Sequence, residues 1–286
     1  MATDNLPLVS IGLPVFNEAR FLRESLDALI QQDYPNVELI ASDNASTDET
    51  EHICRQYAEK YNWISYHRFE QNNGPAQNFS YVLQNAKGKY FMWAAGHDLW
   101  EINYLTACVE MLETHPQAVI AYGSSQWIDE NNMLFDREYG WVDTRGLDVI
   151  ARYFTIFWGN MHPVLGVIRK QALEDCLISN IIGTDLIILS HLILKGDFMH
   201  AVKTNWSRRE FRNETSHNDK VKRYRSKEYR LGFSLLGNIF PLARLPFELC
   251  KVVMQSNQPL IARISIVSLL LPSFPIRYIS GKRKPL

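Results

Sequence analysis

The chain has 286 residues, of which 46% are hydrophobic and 21% are charged. These proportions exclude disordered and fibrous classes, and the length suits one large α/β domain or one domain with an appendage. Four cysteines without a CxxC pair predict reduced thiols in a cytoplasmic protein rather than a disulfide framework. Residues 1–6 lack the basic and apolar regions of a signal peptide.

The charge is unevenly distributed along the chain, although the net charge is only −1. Residues 1–202 carry 13 Lys and Arg against 26 Asp and Glu, a net of −13, whereas residues 203–286 carry 17 against 5, a net of +12. This asymmetry can mean two solvated surfaces that merely differ. It can also mean that the basic tail meets an anionic partner, such as a membrane surface, a diphosphate or a lipid-linked acceptor.

Strand and helix patterns alternate along the first hundred residues. Apolar runs predict strands, and apolar residues at helical spacing predict the helices between them. A capping box of Ser46 and Glu49 predicts the start of the second helix, and Pro75 suits the first position of the third. The predicted strands are Leu8–Leu13, Val37–Ser42, Trp63–His67 and Tyr90–Ala95, and the first and third helices cover about Phe21–Ile30 and Pro75–Ala86.

The alternation continues less regularly to residue 202. It predicts a helix over Ile102–His115, strands at Ala118–Gly123 and Val164–Arg169, and a helix after Asp185. Strands separated by helices predict a doubly wound, mostly parallel α/β sheet flanked by helices. We divide the chain into a catalytic domain, residues 1–202, with a nucleotide-binding half of about 1–98 and an acceptor half of about 99–202, and a basic helical extension, residues 203–286.

Two apolar runs follow the basic stretch of the extension. Leu231–Ala243 and Ile264–Ile276 are about 13 residues each, shorter than the roughly 20 that a spanning helix needs. We therefore expect a soluble or peripheral protein. The composition fits helices lying on the inner, anionic face of a membrane, and it also fits a helical pair packed on the domain or on a twin subunit. No nucleic-acid partner is expected.

Small polar residues follow three of the predicted strands, in the segments Pro14–Glu18, Ser42–Asp48 and Gln71–Gly74. Ligands of open parallel sheets bind at the carboxyl ends of the strands. The Asp43 carboxylate can accept the imide N–H of uracil, or the comparable N–H of guanine. The alternatives are that Asp43 merely holds a turn and that Asn73-Gly74 is simply a tight turn.

These segments carry a resemblance. Val9–Glu18, Asp43–Asp48 and Asn73–Asn78, in this order, resemble family 2 glycosyltransferases with the GT-A fold, and the match extends more loosely to about residue 217. The resemblance implies an inverting transferase with a nucleotide-diphosphate sugar donor and a glycan or lipid-linked acceptor in surface polysaccharide or glycolipid synthesis, and the acidic Asp43 favours a UDP-sugar as that donor. It implies nucleotide-binding roles for Pro14, Phe16, Asn17, Glu18, Asp43, Asn73, Gly74, Asn78 and His97.

The resemblance also implies a divalent cation bridging the donor phosphates, held by an aspartate-rich motif at Trp93–Asp98. Only Asp98 is a carboxylate here, because Gly96 and His97 stand where aspartates are expected. Imidazole suits Mn²⁺ better than Mg²⁺, so we expect Mn²⁺ as the preferred cation with Asp98 as its main ligand. The alternative is that Asp98 caps the following helix and that metal binding is weak or absent.

Inverting transfer needs a carboxylate on the acceptor side that takes the proton from the attacking hydroxyl. The resemblance assigns this role to Asp185, in a turn that opens an apolar helix; the alternative role is an N-cap. Glu174 and Asp175 are expected in a solvated helix. We expect Asp43, Asp98 and Asp185 to line one shared cavity.

A basic loop, Trp206–Arg212, is implied by the resemblance to fold over the diphosphate. Among its arginines we assign this contact to Arg209 and Arg212, and a solvated loop is the alternative. A nucleotidyltransferase or a dinucleotide oxidoreductase would need a glycine-rich loop after the first strand, which is absent. Because Asp98 is the only carboxylate in the Trp93–Asp98 motif, one more alternative is a protein that binds a sugar nucleotide without turnover.

Overall fold

The computed structural model describes residues 6–280 except 138, 139, 141, 177, 212–241 and 243. An eight-stranded mixed sheet lies at its centre, in the order β3-β2-β1-β4-β7-β6-β8-β5. Its strands are β1 (Val9–Val15), β2 (Val37–Asp43), β3 (Ile64–Arg68), β4 (Tyr90–Trp93), β5 (Leu99–Trp100), β6 (Ala118–Ile128), β7 (Val167–Arg169) and β8 (Asp197–Arg209).

Helices cover both faces of this sheet. In the described residues they are α1 (Ala19–Ile30), α2 (Thr50–Lys60), α3 (Pro75–Gln84), α4 (Tyr104–Thr114), α5 (Val149–Trp158), α6 (Thr184–Lys195), α7 (Leu245–Gln255) and α8 (Leu260–Ser280). Buried side chains of α1, α2 and α4 form the core on one face, and those of α3 and α5–α8 form the core on the other. The doubly wound architecture predicted from the sequence is confirmed.

Parallel pairing dominates the nucleotide-binding half. β1 pairs in parallel with β2 and β4, and β2 pairs in parallel with β3. Farther along the sheet, β6 and β8 are parallel, while β7 runs antiparallel to both of its neighbours and β5 runs antiparallel to β8. The carboxyl ends of β1, β2 and β4 therefore meet at one edge.

Two local predictions are wrong. The capping box does not form, because α2 begins at Thr50 and the Ser46 hydroxyl instead donates to Asp43 Oδ1 at 2.5 Å. Glu174 and Asp175 do not lie in a helix: a short 3₁₀ turn ends at Leu173, and Asp175 has a φ of 62°. In both places a local hydrogen bond or a turn replaces the helix that the pattern favoured.

The last strand crosses the predicted domain boundary. β8 continues through residue 202 to Arg209, and its pairing with β6 runs as far as Ile128 opposite Arg209. The sequence did not predict β8, because its residues do not alternate cleanly between apolar and polar. β8 therefore extends seven residues past the predicted boundary at residue 202.

The C-terminal apolar run is longer in the structure than its sequence pattern suggested. α8 has 21 residues, and its window Leu260–Arg277 has a mean hydropathy of 1.5 with 11% of its residues buried. By length and composition alone this helix could cross a membrane, contrary to the 13-residue expectation for Ile264–Ile276. The other run, Leu231–Ala243, lies outside the described residues except for Leu242 and is not characterised further.

Candidate active site

A cavity of about 290 Å³ lies at the sheet edge where β1 and β4 end. The beginnings of α3 and α6 form further parts of its wall. The predicted site residues that line it are Pro14, Phe16, Glu18, Asn78, His97 and Asp185. The structure thus joins the predicted nucleotide residues to the predicted base, although these segments are far apart in the chain.

The carbonyl of Val15, the last residue of β1, accepts two hydrogen bonds that fix this edge. Asn44 N donates to it at 3.0 Å, and Asn78 Nδ2 donates to it at 3.1 Å. Asn78 is 3% exposed, and its Oδ1 accepts no hydrogen bond from the described part of the chain. A buried acceptor without a donor is costly, so a ligand donor in the cavity would satisfy it.

Asn17 has a structural role in the turn after β1. Its φ of 53° lies in the left-handed region that asparagine tolerates. Asn17 N donates to Ser46 Oγ at 2.9 Å, and Asn17 Oδ1 accepts from Thr47 N at 2.9 Å. The exposed Asn17 therefore ties the β1 turn to the β2 turn, and it does not line the cavity.

Asp43 is fully buried and holds the turn after β2. Its Oδ1 accepts from Ser46 N at 2.8 Å, and its Oδ2 accepts from the Tyr66 hydroxyl at 2.9 Å. Arg68 Nε lies 3.6 Å from Oδ2. Each carboxylate oxygen is engaged within the protein, as the turn alternative required, and the side chain does not line the cavity.

The turn before α3 is also held by side-chain amides. Asn73 N donates to Asn44 Oδ1, and Gly74 N donates to Asn72 Oδ1, each at 2.9 Å. Gly74 precedes α3 with a φ of 85°, a conformation that favours glycine. Asn73 and Gly74 shape this turn, whereas Asn44 lines the cavity itself.

His97 and Glu18 form a pair on the cavity wall. His97 Nδ1 lies 2.9 Å from Glu18 Oε2, and the imidazole meets the Phe211 ring edge-on at a centroid distance of 5.2 Å. A Cβ at Gly96 would come within 3.1 Å of Glu18 Cβ, so glycine provides the room for this approach. The carboxylate orients the ring and leaves Nε2 3.8 Å from Asp98 Oδ1.

Asp98 is 1% exposed and turned towards the end of β8. Its Oδ1 accepts from Arg209 N at 3.0 Å, and burial raises the pKa of the carboxyl, although the neighbouring His97 lowers it. Asp98 does not cap a helix, because β5 follows it and α4 begins at Tyr104. The expectation that three carboxylates line one cavity is wrong for Asp43 and Asp98, and correct for Asp185.

Asp185 is the second residue of α6, and its side chain is exposed to the cavity. The N-cap alternative is wrong, since Gly183 occupies that position with a φ of 91°. Desolvation within the cavity raises the pKa of the Asp185 carboxyl, while the charge of Arg208 lowers it. An exposed carboxylate with a raised pKa suits a proton acceptor.

The Arg209 side chain is buried and fully engaged. Nε donates to His97 O at 2.9 Å, Nη2 donates to Glu24 Oε2 at 2.8 Å, and Cζ lies 4.3 Å from the centroid of the Phe21 ring. This guanidinium braces the site from within and does not reach the cavity, contrary to the predicted diphosphate contact. The second predicted contact, Arg212, lies outside the described residues.

The assignment of the diphosphate contact from the sequence does not include Arg208. Its guanidinium stacks on Trp127 with Cζ 4.8 Å from the ring centroid, and its positive charge lowers the pKa of both Asp185 and Asp98. Successive strand residues point to opposite faces of a sheet, so Arg208 and Arg209 cannot share a role. This alternation would have separated them, had β8 been predicted.

Sequence reasoning also missed His162, which is 7% exposed. Its Nδ1 hydrogen-bonds Ser125 Oγ, and its ring meets Trp127 and Trp206 at centroid distances of 5.6 and 5.9 Å. Burial lowers the pKa of His162 to about 3, so the imidazole stays neutral at physiological pH. Leu165, from the same 3₁₀ turn, lines the cavity.

The described residues contain no group of three His, Cys, Asp or Glu side chains that could hold a metal ion alone. They do offer an imidazole and a carboxylate, His97 Nε2 and Asp98 Oδ1, at a separation of 3.8 Å. Cations in phosphate-transfer sites commonly take one or two protein ligands and complete their shell with substrate oxygens and water. His97 lines the cavity but Asp98 does not, so the pair fits such a cation only with the Asp98 carboxylate turned from Arg209 N towards the cavity.

Residues 10–177 match the model of glycosyl transferase family 2. The chain belongs to this family. A relative, an uncharacterized glycosyltransferase of Rickettsia typhi, is 35% identical over 127 residues, which are 44% of this chain and 39% of the relative. The chain therefore spans well under half of the length of that curated relative.

Two solved structures have a fold similar to that of this chain. The Staphylococcus aureus protein TarS in complex with UDP-GlcNAc superposes with a TM-score of 0.67 at 15% identity, over 97% of this chain and 74% of that one. The mannosyltransferase PcManGT from Pyrobaculum calidifontis, in complex with GDP-Man and Mn²⁺, gives a TM-score of 0.56 at 16% identity, over 98% and 84%. The GT-A fold implied by the sequence resemblance is confirmed.

Proposed function

We propose that this family 2 glycosyltransferase moves a sugar from a UDP-sugar to an acceptor hydroxyl with inversion, and that Asp185 is the catalytic base. The observation that carries the proposal is the single cavity that joins the ends of β1 and β4 to Asp185. Structural neighbours with UDP-GlcNAc and GDP-Man support a nucleotide-sugar donor. The proposed acceptor is a glycan or a lipid-linked sugar, used in surface polysaccharide or glycolipid synthesis on the cytoplasmic side.

The proposed chemistry is one displacement. The acceptor oxygen forms a bond to the anomeric carbon while the bond from that carbon to the diphosphate breaks, and the Asp185 carboxylate takes the hydroxyl proton. Pro14, Phe16 and Asn78, at the other wall, would hold the nucleoside diphosphate. Because attack comes from the side away from the leaving group, the product has the inverted configuration.

The negative charge that develops on the leaving diphosphate needs a positive partner. Arg208, like Arg209, is not among the residues that line the cavity, but its charge lowers the pKa of Asp185, so we assign it this role in place of the fully bonded Arg209. We further propose that His97 and Asp98 would hold a divalent cation, Mn²⁺ in preference to Mg²⁺. When bound, it would neutralise charge on the two phosphates.

Metal titration into a donor-hydrolysis assay tests the cation. We expect Mn²⁺ to restore the EDTA-treated enzyme at lower concentration than Mg²⁺, because imidazole is the better ligand for manganese. Full activity in EDTA would contradict the metal proposal. Protein side chains alone would then have to neutralise the charge on the leaving diphosphate.

A panel of nucleotide sugars tests the function itself. The true donor, at 100 times its Kd, should raise the free energy of unfolding by about 2.7 kcal/mol, and the same donor should be hydrolysed slowly without acceptor. UDP-sugars are expected to rank first. Stabilisation without hydrolysis or transfer would instead establish the alternative, a binder that lacks turnover, and no stabilisation by any member would contradict both.

A further inference from the structure

Helices α7 and α8 expose eight large apolar side chains. Phe247 is 76% exposed and Ile261 is 81% exposed, the two highest exposures among the large hydrophobic side chains described. We call the set the hairpin surface; it comprises Phe247, Met254, Leu260, Ile261, Ile264, Leu269, Leu271 and Ile276. Apolar patches of this kind on a soluble domain mark interaction sites.

The other side of the same helices is packed on the domain. Ile266 and Leu270 of α8 are fully buried in the core that α5, α6 and α7 share. At about 3.6 residues per turn, these residues point away from Ile261, Ile264 and Leu271. Because one side of α8 is packed along the polar domain, lipid tails cannot surround this helix as they surround a membrane-spanning helix. It can, however, lie flat in a membrane interface with its outer face in the lipid.

The charge of this segment identifies the kind of surface. Residues 244–286 contain seven Lys and Arg against one Glu. A second protein copy would bring the same positive charge to the contact, whereas an anionic bilayer would complement it. Apolar side chains flanked by cations are the combination that amphipathic helices use at phospholipid surfaces.

The start of α7 also contacts the turn that precedes α6. Leu245, the first residue of α7, packs so closely on Gly183 that a Cβ there would lie 2.5 Å from Leu245 Cδ2. Gly183 caps the helix that carries Asp185. The exposed Phe247 follows Leu245 by two residues, so the hairpin surface begins beside the acceptor side of the cavity.

We propose that the hairpin surface lies on the face of an anionic phospholipid bilayer. This places the Asp185 side of the cavity at the membrane, and the acceptor is a sugar or hydroxyl that the membrane holds through a lipid. The acceptor clause rests on the proposed transferase function, whereas the docking clause does not.

Vesicle flotation of the full chain tests the docking. The wild type should float with phosphatidylglycerol-containing vesicles and not with pure phosphatidylcholine. The double variant Phe247→Glu/Ile261→Glu should lower the partition coefficient by at least about tenfold, because two apolar anchors are lost and two negative charges are added. Thermal unfolding checks that the variant is folded.

A matched control uses two side chains of similar exposure outside the hairpin. Met133 is 66% exposed and Val202 is 74% exposed. The variant Met133→Glu/Val202→Glu adds the same charge, so it should float like the wild type. Equal losses for the two double variants would show non-specific charge repulsion and overturn the assignment.

The remaining outcomes separate the competing occupants. Release by alkaline carbonate supports a helix lying on the surface, whereas resistance to extraction would establish a spanning helix and overturn the proposal. Failure to float, together with a dimer that Phe247→Glu/Ile261→Glu dissociates, would assign the surface to a second copy. Failure to float with normal donor hydrolysis contradicts only the docking, while floating without donor hydrolysis contradicts only the proposed enzyme.

Discussion

The two walls of the cavity use their polar residues differently. At the strand ends Asn44 lines the cavity, while Asp43 and Asn17 lie behind the wall and bond to neighbouring turns, and Asp43 is completely buried. On the α6 wall Asp185 is exposed to the cavity, and its helix is capped by glycine rather than by its own carboxylate. The difference teaches that a motif residue can serve by building the turn that bears the ligand contact, without making that contact itself.

The same contrast recurs between two adjacent arginines. Arg209 is buried with its guanidinium bonded to backbone and carboxylate oxygens, whereas Arg208 stacks on Trp127 and influences Asp185 electrostatically. One arginine therefore supports the fold of the site, and the other is available for its chemistry.

The largest expected effect concerns the base. Asp185→Asn should lower the transfer rate by about 10²- to 10⁴-fold, because the amide cannot take the acceptor proton. Donor binding and thermal unfolding should stay close to wild type, since the carboxylate caps no helix. Asp175→Asn, an exposed aspartate on the preceding loop, is the control. Near-normal turnover of Asp185→Asn would remove the assignment.

The next effect separates Arg208 from Arg209. Arg208→Ala should lower kcat by about 10²-fold through lost charge stabilisation, with little change in stability. Arg209→Ala should mainly lower the free energy of unfolding, because it removes the guanidinium donor to the His97 carbonyl and the shorter of the two hydrogen bonds to Glu24 Oε2, which also accepts from Asn132 Nδ2. Thermal melts and initial rates on both variants measure the split; reversed results would restore Arg209 as the diphosphate ligand.

A pH profile sharpens this comparison. The base acts deprotonated, so activity falls as pH drops through the pKa of Asp185, which desolvation raises above the ordinary aspartate value. Arg208 lowers that pKa, so Arg208→Ala should move the acid limb of kcat/KM to higher pH, and Arg208→Lys should leave it nearly in place. An acid limb that is unmoved in both variants would contradict the coupling.

A smaller effect tests the strand-end wall. Asp43→Ala should lower the free energy of unfolding by about 1–3 kcal/mol, because the Tyr66 hydroxyl and the Ser46 amide lose their buried acceptor. Exposed Asp136→Ala provides the control, with an expected change within about 0.5 kcal/mol. If Asp43→Ala keeps wild-type stability but loses discrimination between UDP- and GDP-sugars, direct base contact by Asp43 is established instead.

A smaller loss of stability than that of Asp43→Ala is expected for Asp98→Asn, whose amide oxygen can still accept from Arg209 N. Burial raises the pKa of Asp98 in the folded state, so its stabilisation is present at low pH and declines as pH rises through that pKa. Asp98→Asn should lack this decline and unfold within about 1 kcal/mol of wild type at neutral pH. A raised Mn²⁺ midpoint in the variant would support the cation site, and an unchanged one would remove Asp98 from it.

Much of the fold follows from local sequence patterns. The helical period of α1 predicted its buried face, and the strand–helix alternation predicted the sheet edge at which Pro14, Phe16 and His97 meet. These features can be predicted from local patterns, because crossovers between parallel strands bring consecutive strand ends to the same edge of the sheet. The sequence resemblance indicates the family, and it is also the source of the proposal that Asp185 is the base.

Only the tertiary structure decided which polar residues face the cavity. Asp98 is turned away by Arg209, 111 residues later, and Asp43 is covered by Tyr66, 23 residues later. Since burial and hydrogen bonding depend on partners that the chain brings together only on folding, no local pattern separates these aspartates from Asp185. The sequence does not predict the pairing of β8 with β6 for the same reason: this pairing joins segments about 80 residues apart.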